Sequence, residues 1–212
     1  ISTIALNSGG VYDGGNYNIS YWSYTTGSGS NGLFSTLENA TVKNIKLAGV
    51  WTLTSEFTRG GFLVGYAETS NTILNCEADF DTGTTMGIGD PDISFVFRGG
   101  LIGDVRGTTE IHGLTVKGSI FMDTADASQI NSRAAGVIGA ATISNNTDTG
   151  NISNVRNIAT FPNGILGDFT GGVVGQLYDY TISSNILCAM KGDIMGMRTF
   201  SQVGGVFGVL RN

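Results

Sequence analysis

The amino-acid sequence predicts an all-β fold, a single-stranded right-handed parallel β-helix (β-solenoid) of about six coils. Two repeated signatures and the composition predict this class. An apolar pair followed by a small residue recurs six times, a strand-like signature follows the first five copies, and Gly accounts for 33 of the 212 residues. Short β-rich runs separated by Gly and Asn are typical of strands joined by corners, and no helical period exceeds about two turns.

The first signature marks the start of each coil. Its copies are Leu33-Phe34-Ser35, Leu63-Val64-Gly65, Leu101-Ile102-Gly103, Val137-Ile138-Gly139, Val173-Val174-Gly175 and Val206-Phe207-Gly208. The third residues of successive copies are 30, 38, 36, 36 and 33 positions apart. A repeat of this length indicates a solenoid or array in which each copy is one supersecondary unit.

The second signature supplies the next strand of each coil. Its copies are TVKNI (41–45), TILNC (72–76), EIHGL (110–114), NISNV (151–155) and TISSNI (181–186). Coils of this size bury their apolar residues only by stacking, so equivalent positions should form interior columns. One predicted column is Val42, Ile73, Ile111, Ile152 and Ile182, and the other is Ile45, Cys76, Leu114, Val155 and Ile186.

A third, looser strand follows, and irregular segments separate it from the next coil. The third strand is predicted at 49–53, 78–80, 118–122 and 158–161, with a weaker candidate at 192–197. The irregular segments are 54–60, 81–98, 123–134, 162–170 and 195–203. Because these insertions fall at the same place in every coil, they should emerge along one edge. We expect one domain over 1–212, with an opening coil at 1–31 and five to six coils over 32–208, and we expect it to be part of a longer chain or assembly.

The repeat resembles a known family. The aliphatic-aliphatic-Gly strand followed by T-I-x-N-C resembles the GLUG repeat of parallel β-helical regions in large bacterial surface proteins and some secreted peptidases. Residues 60–76 and 99–116 carry the resemblance most clearly, and GGVYDGGNYNIS (9–20) resembles a segment that often precedes such repeats. The resemblance implies an adhesin-like or viral-particle β-solenoid. It predicts the fold more firmly than the function.

The composition argues against several classes of protein. The formal net charge is -6 and the 11 basic residues are scattered, whereas nucleic-acid binders cluster Lys and Arg. No apolar run reaches the roughly 18 residues that cross a bilayer, so no membrane span is predicted. The Gly-rich loops lack the Lys and the following helix of a phosphate-binding loop, so we interpret them as corners.

Three arginines recur just before successive coil starts. Arg59, Arg98 and Arg133 stand in TRGG, FRGG and SRAAG. They are predicted to form an exposed ladder, which could bind a carboxylate or sulfate of a glycan. The alternative is that they solubilise an edge of the solenoid and pair with nearby Asp residues.

A group of acidic residues lies in or beside one long insertion. Its members are Asp79, Asp81, Asp90 and Asp92. Stacking could gather these carboxylates on one edge, where hard oxygen ligands hold Ca²⁺. The alternative is a set of solvated loops, and no other cofactor is expected.

The remaining reactive residues suggest no catalytic site. His112 should point outward by strand alternation, and no nucleophile can be assigned beside it. Cys76 occupies a core column and Cys188 lies three coils later, roughly 14 Å away at the spacing of stacked strands, too far for a disulfide. Both cysteines are predicted to be reduced and buried, with side chains that only fill space in the core.

Four N-x-[ST] triplets are candidate glycosylation sites. They begin at Asn18, Asn39, Asn145 and Asn151. Such sites carry glycans on exposed turns if the chain passes through a secretory pathway.

The expected function is that of a non-enzymatic structural and interaction module in a surface-exposed assembly. We expect a cell-surface adhesin or a virion or capsid surface component, located extracellularly or on the virion surface. Protein partners or cell-surface glycans would bind loops on one edge, and other subunits would assemble at the open solenoid end. The alternative is a polysaccharide lyase or glycoside hydrolase, which requires paired carboxylates on adjacent coils or an acidic Ca²⁺ cluster beside Arg, with Asp90 and Asp92 as candidate residues.

Overall fold

The computed structural model confirms the predicted fold class. It describes residues 3–7, 9–24, 29–53, 57–87, 95–123, 132–143, 145, 147–196 and 201–211. Within these ranges the chain forms 29 strands and no helix. Neighbouring strands are parallel and stack into a β-solenoid of about five turns, close to the six predicted.

Sheet A is built from the first signature. Its strands, in hydrogen-bonding order, are Ile4–Asn7, Phe34–Glu38, Val64–Glu68, Ile102–Arg106, Ile138–Thr142, Val174–Tyr178 and Phe207–Arg211. The register pairs the second residue of all six signature copies, from Phe34 through Val64 and onward to Phe207. The repeat alignment made from the sequence is therefore confirmed at these positions.

Sheet B is built from the second signature. Its strands are Val11–Asp13, Thr41–Lys43, Asn71–Leu74, Thr109–His112, Gly150–Ser153 and Tyr180–Ile182. The predicted column from Val42 to Ile182 is confirmed pair by pair, and Tyr12 precedes it. Val42, Ile73, Ile111 and Ile152 are buried, whereas Ile182 is exposed.

Sheet C follows sheet B around each coil. Its strands are Phe121–Met122, Thr85–Met86, Lys46–Leu53, Glu77–Phe80, Thr115–Gly118, Val155–Asn157 and Ile186–Cys188, and Asn18–Tyr24 also pairs with Lys46–Leu53. At its entry, Ile45, Cys76, Leu114 and Val155 are buried, and Ile186 pairs with Val155 and packs against the core. The second predicted column is therefore also confirmed.

Sheet D was not predicted, because five of its six strands begin within the expected irregular insertions and the first lies in the opening coil. They are Ser30–Asn31, Arg59–Gly61, Phe97–Gly99, Arg133–Ala135, Phe169–Gly171 and Gln202–Gly204. Two further strands, Ile165–Gly167 and Ile194–Gly196, form a separate pair. Strands of two or three residues are too short to show a period of two, so the sequence pattern did not reveal them.

Two corners of the solenoid are formed by stacked residues in the left-handed region. Between sheets A and B these residues are Asn39, Thr69, Gly107 and Asp179, and between sheets B and C they are Asn44, Asn75, Gly113 and Asn154. Asn and Gly enter this region at little cost, which explains the Asn or Gly at the fourth position of TVKNI, TILNC, EIHGL and NISNV.

One continuous apolar core runs through the solenoid. Its early coils contain an aromatic cluster of Trp22, Trp51, Phe62 and Phe80, with ring centroids 4.8 to 6.3 Å apart. In the next coil, Gly118 pairs with Phe80, and Gly100 follows the Gly99 that pairs with Gly61, so glycines occupy the positions of Phe80 and Phe62 there.

Sheets D and A approach each other in backbone contact at the turn that joins them. A Cβ added to Gly103 would lie 2.6 Å from the Gly65 oxygen and 2.8 Å from the Gly60 nitrogen. No side chain fits between the sheets at this level. A few residues away from the turn, side chains as large as Arg59 and Tyr66 lie between them, so the sheets enclose a groove.

Candidate binding groove

The arginine–aromatic groove lies between the facing sides of sheets A and D. We define it by Arg59, Tyr66, Phe95, Phe97, Asp104, Arg106 and Arg133. Arg59, Phe97 and Arg133 occupy one column on successive strands of sheet D, and Tyr66 and Asp104 are paired on sheet A. Part of the groove is a cavity of about 370 Å³, lined by Thr58, Arg59, Phe95, Phe97 and Arg106.

Asp104 is the anchor of the groove. Its side chain is 0% exposed, and its Oδ2 accepts hydrogen bonds from Arg59 Nε at 3.0 Å and from Arg106 Nε at 3.1 Å. Its Oδ1 has no hydrogen-bond partner within the described part of the chain. Burial raises the pKa of the Asp104 carboxyl, while Arg106 and Arg59 act to lower it. One buried carboxylate thus fixes two guanidinium groups.

The arginines also stack on aromatic rings. The Arg59 guanidinium lies 4.2 Å from the Tyr66 ring centroid, and that of Arg106 lies 5.8 Å from the same ring. Arg133 lies 4.9 to 5.5 Å from the rings of Phe95, Phe97 and Phe169, and its Nε donates to Gln176. Such cation–π contacts hold the guanidinium planes in place.

Partial burial shifts the titration of the groove residues. Desolvation raises the pKa of Tyr66 to about 12 and lowers the pKa of Arg133. Tyr66 is therefore a neutral phenol at physiological pH. Glu68 lies next to the Tyr66 hydroxyl and adds a carboxylate at the rim of the groove.

The surface that a ligand can reach consists of guanidinium groups and ring faces. The side chains of Arg59 and Arg106 are 25% and 37% exposed, and Phe95 is 50% exposed. The Asp104 carboxylate is inaccessible beneath them. The groove can therefore donate hydrogen bonds, attract negative charge and pack against an apolar surface.

The predicted ladder of three arginines is wrong at Arg98. Arg59 and Arg133 share the groove column, but Arg98 pairs with Gly60 and Ala134 and is fully buried. Arg59 and Arg133 each stand five residues before the second residue of their signature, whereas Arg98 stands four before Ile102. An offset of one residue turns a strand side chain to the opposite face.

The acidic residues lie on another sheet. Asp79 and Asp81 are exposed and line a depression of about 500 Å³ on sheet C, together with Lys46 and Glu77. Glu77 pairs with Lys117 at 2.7 Å. Asp90 and Asp92 lie outside the described residues, and among the residues described no three His, Cys, Asp or Glu side chains are grouped as metal ligands. Calcium binding stays a prediction.

The outward orientation of His112 is confirmed. The residue is exposed, and its Nδ1 lies 2.7 Å from the Ser153 Oγ. Cys76 and Cys188 form no disulfide. Cys76 is buried as predicted, whereas Cys188 is only half-buried.

Three of the four glycosylation triplets begin at exposed residues. Asn18, Asn39 and Asn145 are exposed. Asn151 is half-buried, and its Nδ2 donates to Glu110 Oε2 at 3.1 Å. Modification at these sites stays a prediction.

Sequence reasoning missed most of the groove. Tyr66, Phe95, Phe97, Asp104 and Arg106 were not predicted as site residues. Counting back five residues from each signature would have placed Phe97 in the same column as Arg59 and Arg133. No sequence signal shows that this column folds against Tyr66 and Asp104.

Comparisons of this chain with protein-family models, with curated proteins and with solved structures give no match. Membership of the GLUG family therefore stays a prediction. The part of the chain that the structure describes includes no helix that is long and apolar enough to cross a membrane. The groove geometry is the main basis for a functional proposal.

Proposed function

We propose that this chain is a non-enzymatic structural and interaction module of a surface-exposed assembly, and that the arginine–aromatic groove is its binding face. The observation that carries the proposal is the preorganised groove. Its walls are successive strands of two parallel sheets, and its arginines are held by Asp104 and by ring stacking. A site whose side chains are already ordered loses less entropy when it binds a ligand.

The proposed setting is a cell-surface adhesin or a virion or capsid surface component, with protein partners or glycans as ligands. The groove supports binding near the predicted insertion edge, because Phe95 and Arg133 lie where two long insertions re-enter sheet D. Assembly with other subunits at the open solenoid end belongs to the same proposal.

The polysaccharide-degrading alternative has no specific observation in its favour. Its candidate carboxylates Asp90 and Asp92 lie outside the described residues. Asp104 is buried and accepts hydrogen bonds from two arginines, which does not suit a group that exchanges protons with a substrate.

A binding comparison between two exposed phenylalanines tests the proposal. Phe95→Ala removes an exposed groove ring, and Phe121→Ala removes a similarly exposed ring on sheet C. Both variants and the wild type are assayed on an array of neutral saccharides, acidic saccharides and acidic peptides. We expect Phe95→Ala to weaken binding by about tenfold, because one well-packed aromatic contact contributes on the order of 1–2 kcal/mol, and Phe121→Ala to bind normally.

Two results would contradict the proposal. One is that no ligand on the array binds, or that every bound ligand binds Phe95→Ala as well as the wild type. The other is turnover of a polysaccharide, detected as new reducing ends, which would show that the module is an enzyme.

A further inference from the structure

We infer that the arginine–aromatic groove binds an acidic saccharide, with a carboxylate or sulfate between Arg59 and Arg106 and a sugar ring against Phe95 and Phe97. The inference rests on the proposed function, since it names the ligand class of the same groove. Four features of the groove support it: guanidinium donors that no described residue engages, an excess of positive charge, accessible aromatic rings, and strands whose backbone hydrogen bonds are already made.

The two charged side chains that line the cavity, Arg59 and Arg106, are hydrogen-bond donors. A guanidinium has five N–H donors, and the Asp104 carboxylate engages only the Nε of Arg59 and of Arg106. Their terminal amino groups have no hydrogen-bond partner among the described residues. A ligand that satisfies these donors must carry acceptors, and a planar carboxylate or a sulfate accepts two parallel N–H bonds from one guanidinium.

The charge around this position favours an anion. Arg59 and Arg106 share the buried carboxylate of Asp104, and Arg133 lies close enough to Asp104 and to the buried Asp168 to interact with both charges. Glu68 lies at the rim, beside Tyr66. At the Arg59–Arg106 pair, two guanidinium groups share one buried carboxylate, so an anion placed between these two arginines meets an excess of positive charge.

The ring faces supply the second half of the site. Phe95 is half exposed, and Phe97 forms the wall of the cavity beneath it. Ligand sites commonly combine apolar and aromatic walls with a few placed polar groups. An acidic pyranose presents an apolar C–H face and an anionic group on one ring, so it can use both parts of the groove at once.

The backbone of the groove walls favours a saccharide over an acidic peptide. An extended peptide gains affinity by adding a strand to a free sheet edge. Here Arg59–Gly61, Phe97–Gly99 and Arg133–Ala135 pair with one another, and Val64–Glu68 pairs with the strands on either side. The groove offers side chains and no free strand edge.

Cation–aromatic pairs continue along the solenoid. Arg133 stacks on Phe169 in later coils, and the Arg211 guanidinium lies 5.1 Å from the Tyr178 ring centroid. Tyr178 and Arg211 occupy the same column of sheet A as Arg106. An acidic oligosaccharide that lies along the axis would contact several of these pairs, so its affinity should rise with its length.

The experiment is calorimetric titration of the full chain with oligogalacturonates of two to six residues, their methyl esters, a sulfated hexasaccharide and a hexaglutamate peptide. We expect the acidic hexasaccharide to bind at least about tenfold more tightly than its methyl ester at low salt, with the difference shrinking as salt rises. Arg106→Gln should remove the difference. Arg156→Gln, an exposed arginine on sheet C, should leave it unchanged.

The outcomes separate this inference from the proposed function. If the neutral ester binds as tightly as the acid and Phe95→Ala weakens both, the ligand class is wrong and the groove remains the binding face. Preferential binding of hexaglutamate would likewise overturn the saccharide assignment. If Phe95→Ala weakens no interaction, both proposals fail. Circular dichroism and thermal unfolding of each variant exclude misfolding as the cause of lost binding.

Discussion

Arg98 is a buried arginine that forms hydrogen bonds with two separate segments of the chain. Its Nη1 donates to the backbone carbonyl oxygen of Asp123 at 2.8 Å and its Nη2 to that of Leu166 at 2.6 Å, whereas Nε has no partner among the residues that the structure describes. Burial lowers the pKa of the guanidinium to about 10, which still leaves it protonated at neutral pH. Arg98 is therefore a structural cross-link and not a ligand contact.

Replacing Arg98 should destabilise the protein. Arg98→Ala leaves a cavity and two carbonyl oxygens without their donors, and we expect the free energy of unfolding to fall by about 3 kcal/mol. Arg98→Met refills most of the volume and should recover part of the loss. Urea denaturation measures both variants. A stability of Arg98→Ala equal to that of the wild type would contradict the cross-linking role.

The two cysteines should differ in reactivity. Burial raises the pKa of the Cys76 thiol to about 11, from its ordinary 9.0, so little thiolate forms at pH 8. We expect iodoacetamide to modify the half-buried Cys188 at least about tenfold faster than Cys76, with the gap closing in urea. Peptide mass spectrometry measures both rates. Equal rates in the folded protein would contradict the burial of Cys76.

The same raised pKa gives a pH dependence of stability. The folded protein binds the thiol proton more tightly than the unfolded chain does, so the contribution of Cys76 is complete below pH 9.0 and is lost as the pH rises through about 11. The difference in unfolding free energy between the wild type and Cys76→Ala should therefore shrink over this interval. A difference that stays constant from pH 8 to 11 would show that the thiol is not desolvated.

At the scale of secondary-structure elements, glycines in the turns between sheets D and A permit successive coils to stack closely. At Gly100, Gly136 and Gly172, an added Cβ would overlap the carbonyl oxygen of the equivalent glycine in the next coil. At Gly205, the equivalent position of the last coil, an added Cβ meets nothing within 4 Å. The repeat thus provides a crowded site and its own uncrowded control.

Comparing Gly100→Ala with Gly205→Ala should separate the steric effect of an added Cβ on stability from the general effect of replacing a glycine. The overlap with the Gly136 oxygen forces the coils apart, and we expect Gly100→Ala to lower the free energy of unfolding by about 2–4 kcal/mol. Gly205→Ala should change it by less than about 0.5 kcal/mol. Thermal and urea denaturation test this. Equal effects of the two substitutions would mean that the close stacking of these turns does not depend on glycine.

At the scale of the whole molecule, stacking joins the coils into one core. Buried apolar residues from Trp22 to Tyr180 belong to one cluster. Ile111 lies near its centre, fully buried between Ile73 and Ile152. In a solenoid, stability depends on interfaces between neighbouring coils, so a defect at the centre affects both halves.

Ile111→Ala should lower stability by about 3 kcal/mol and shift the unfolding of early and late coils together. Tryptophan fluorescence follows the early coils, where both Trp22 and Trp51 lie, and amide exchange follows the later ones. The neighbouring Glu110 is exposed, and Glu110→Ala should change stability by less than about 0.5 kcal/mol. Separate transitions in Ile111→Ala would show that the coils unfold independently.

Much of the fold could be predicted because each coil repeats the same local pattern. The columns through Ile111 and through Cys76 follow from period-two alternation and from alignment of the signatures. The recurring Asn at positions such as Asn44 and Asn75 also marks corners in the sequence, whereas the left-handed conformation of these residues is seen only in the structure. These features depend on local conformation and on equivalent neighbours.

The sequence alone determined the parallel solenoid, its repeat and its interior columns, because alternation and stacking act at every coil. Only the tertiary structure decided that short strands in the expected insertions form sheet D. It also decided that Arg98 points inward while Arg59 and Arg133 point into the groove. Finally, it placed Asp104 between Arg59 and Arg106. Side-chain direction reverses with a shift of one residue, and the facing of two sheets depends on the geometry of the turn between them, which no local pattern specifies.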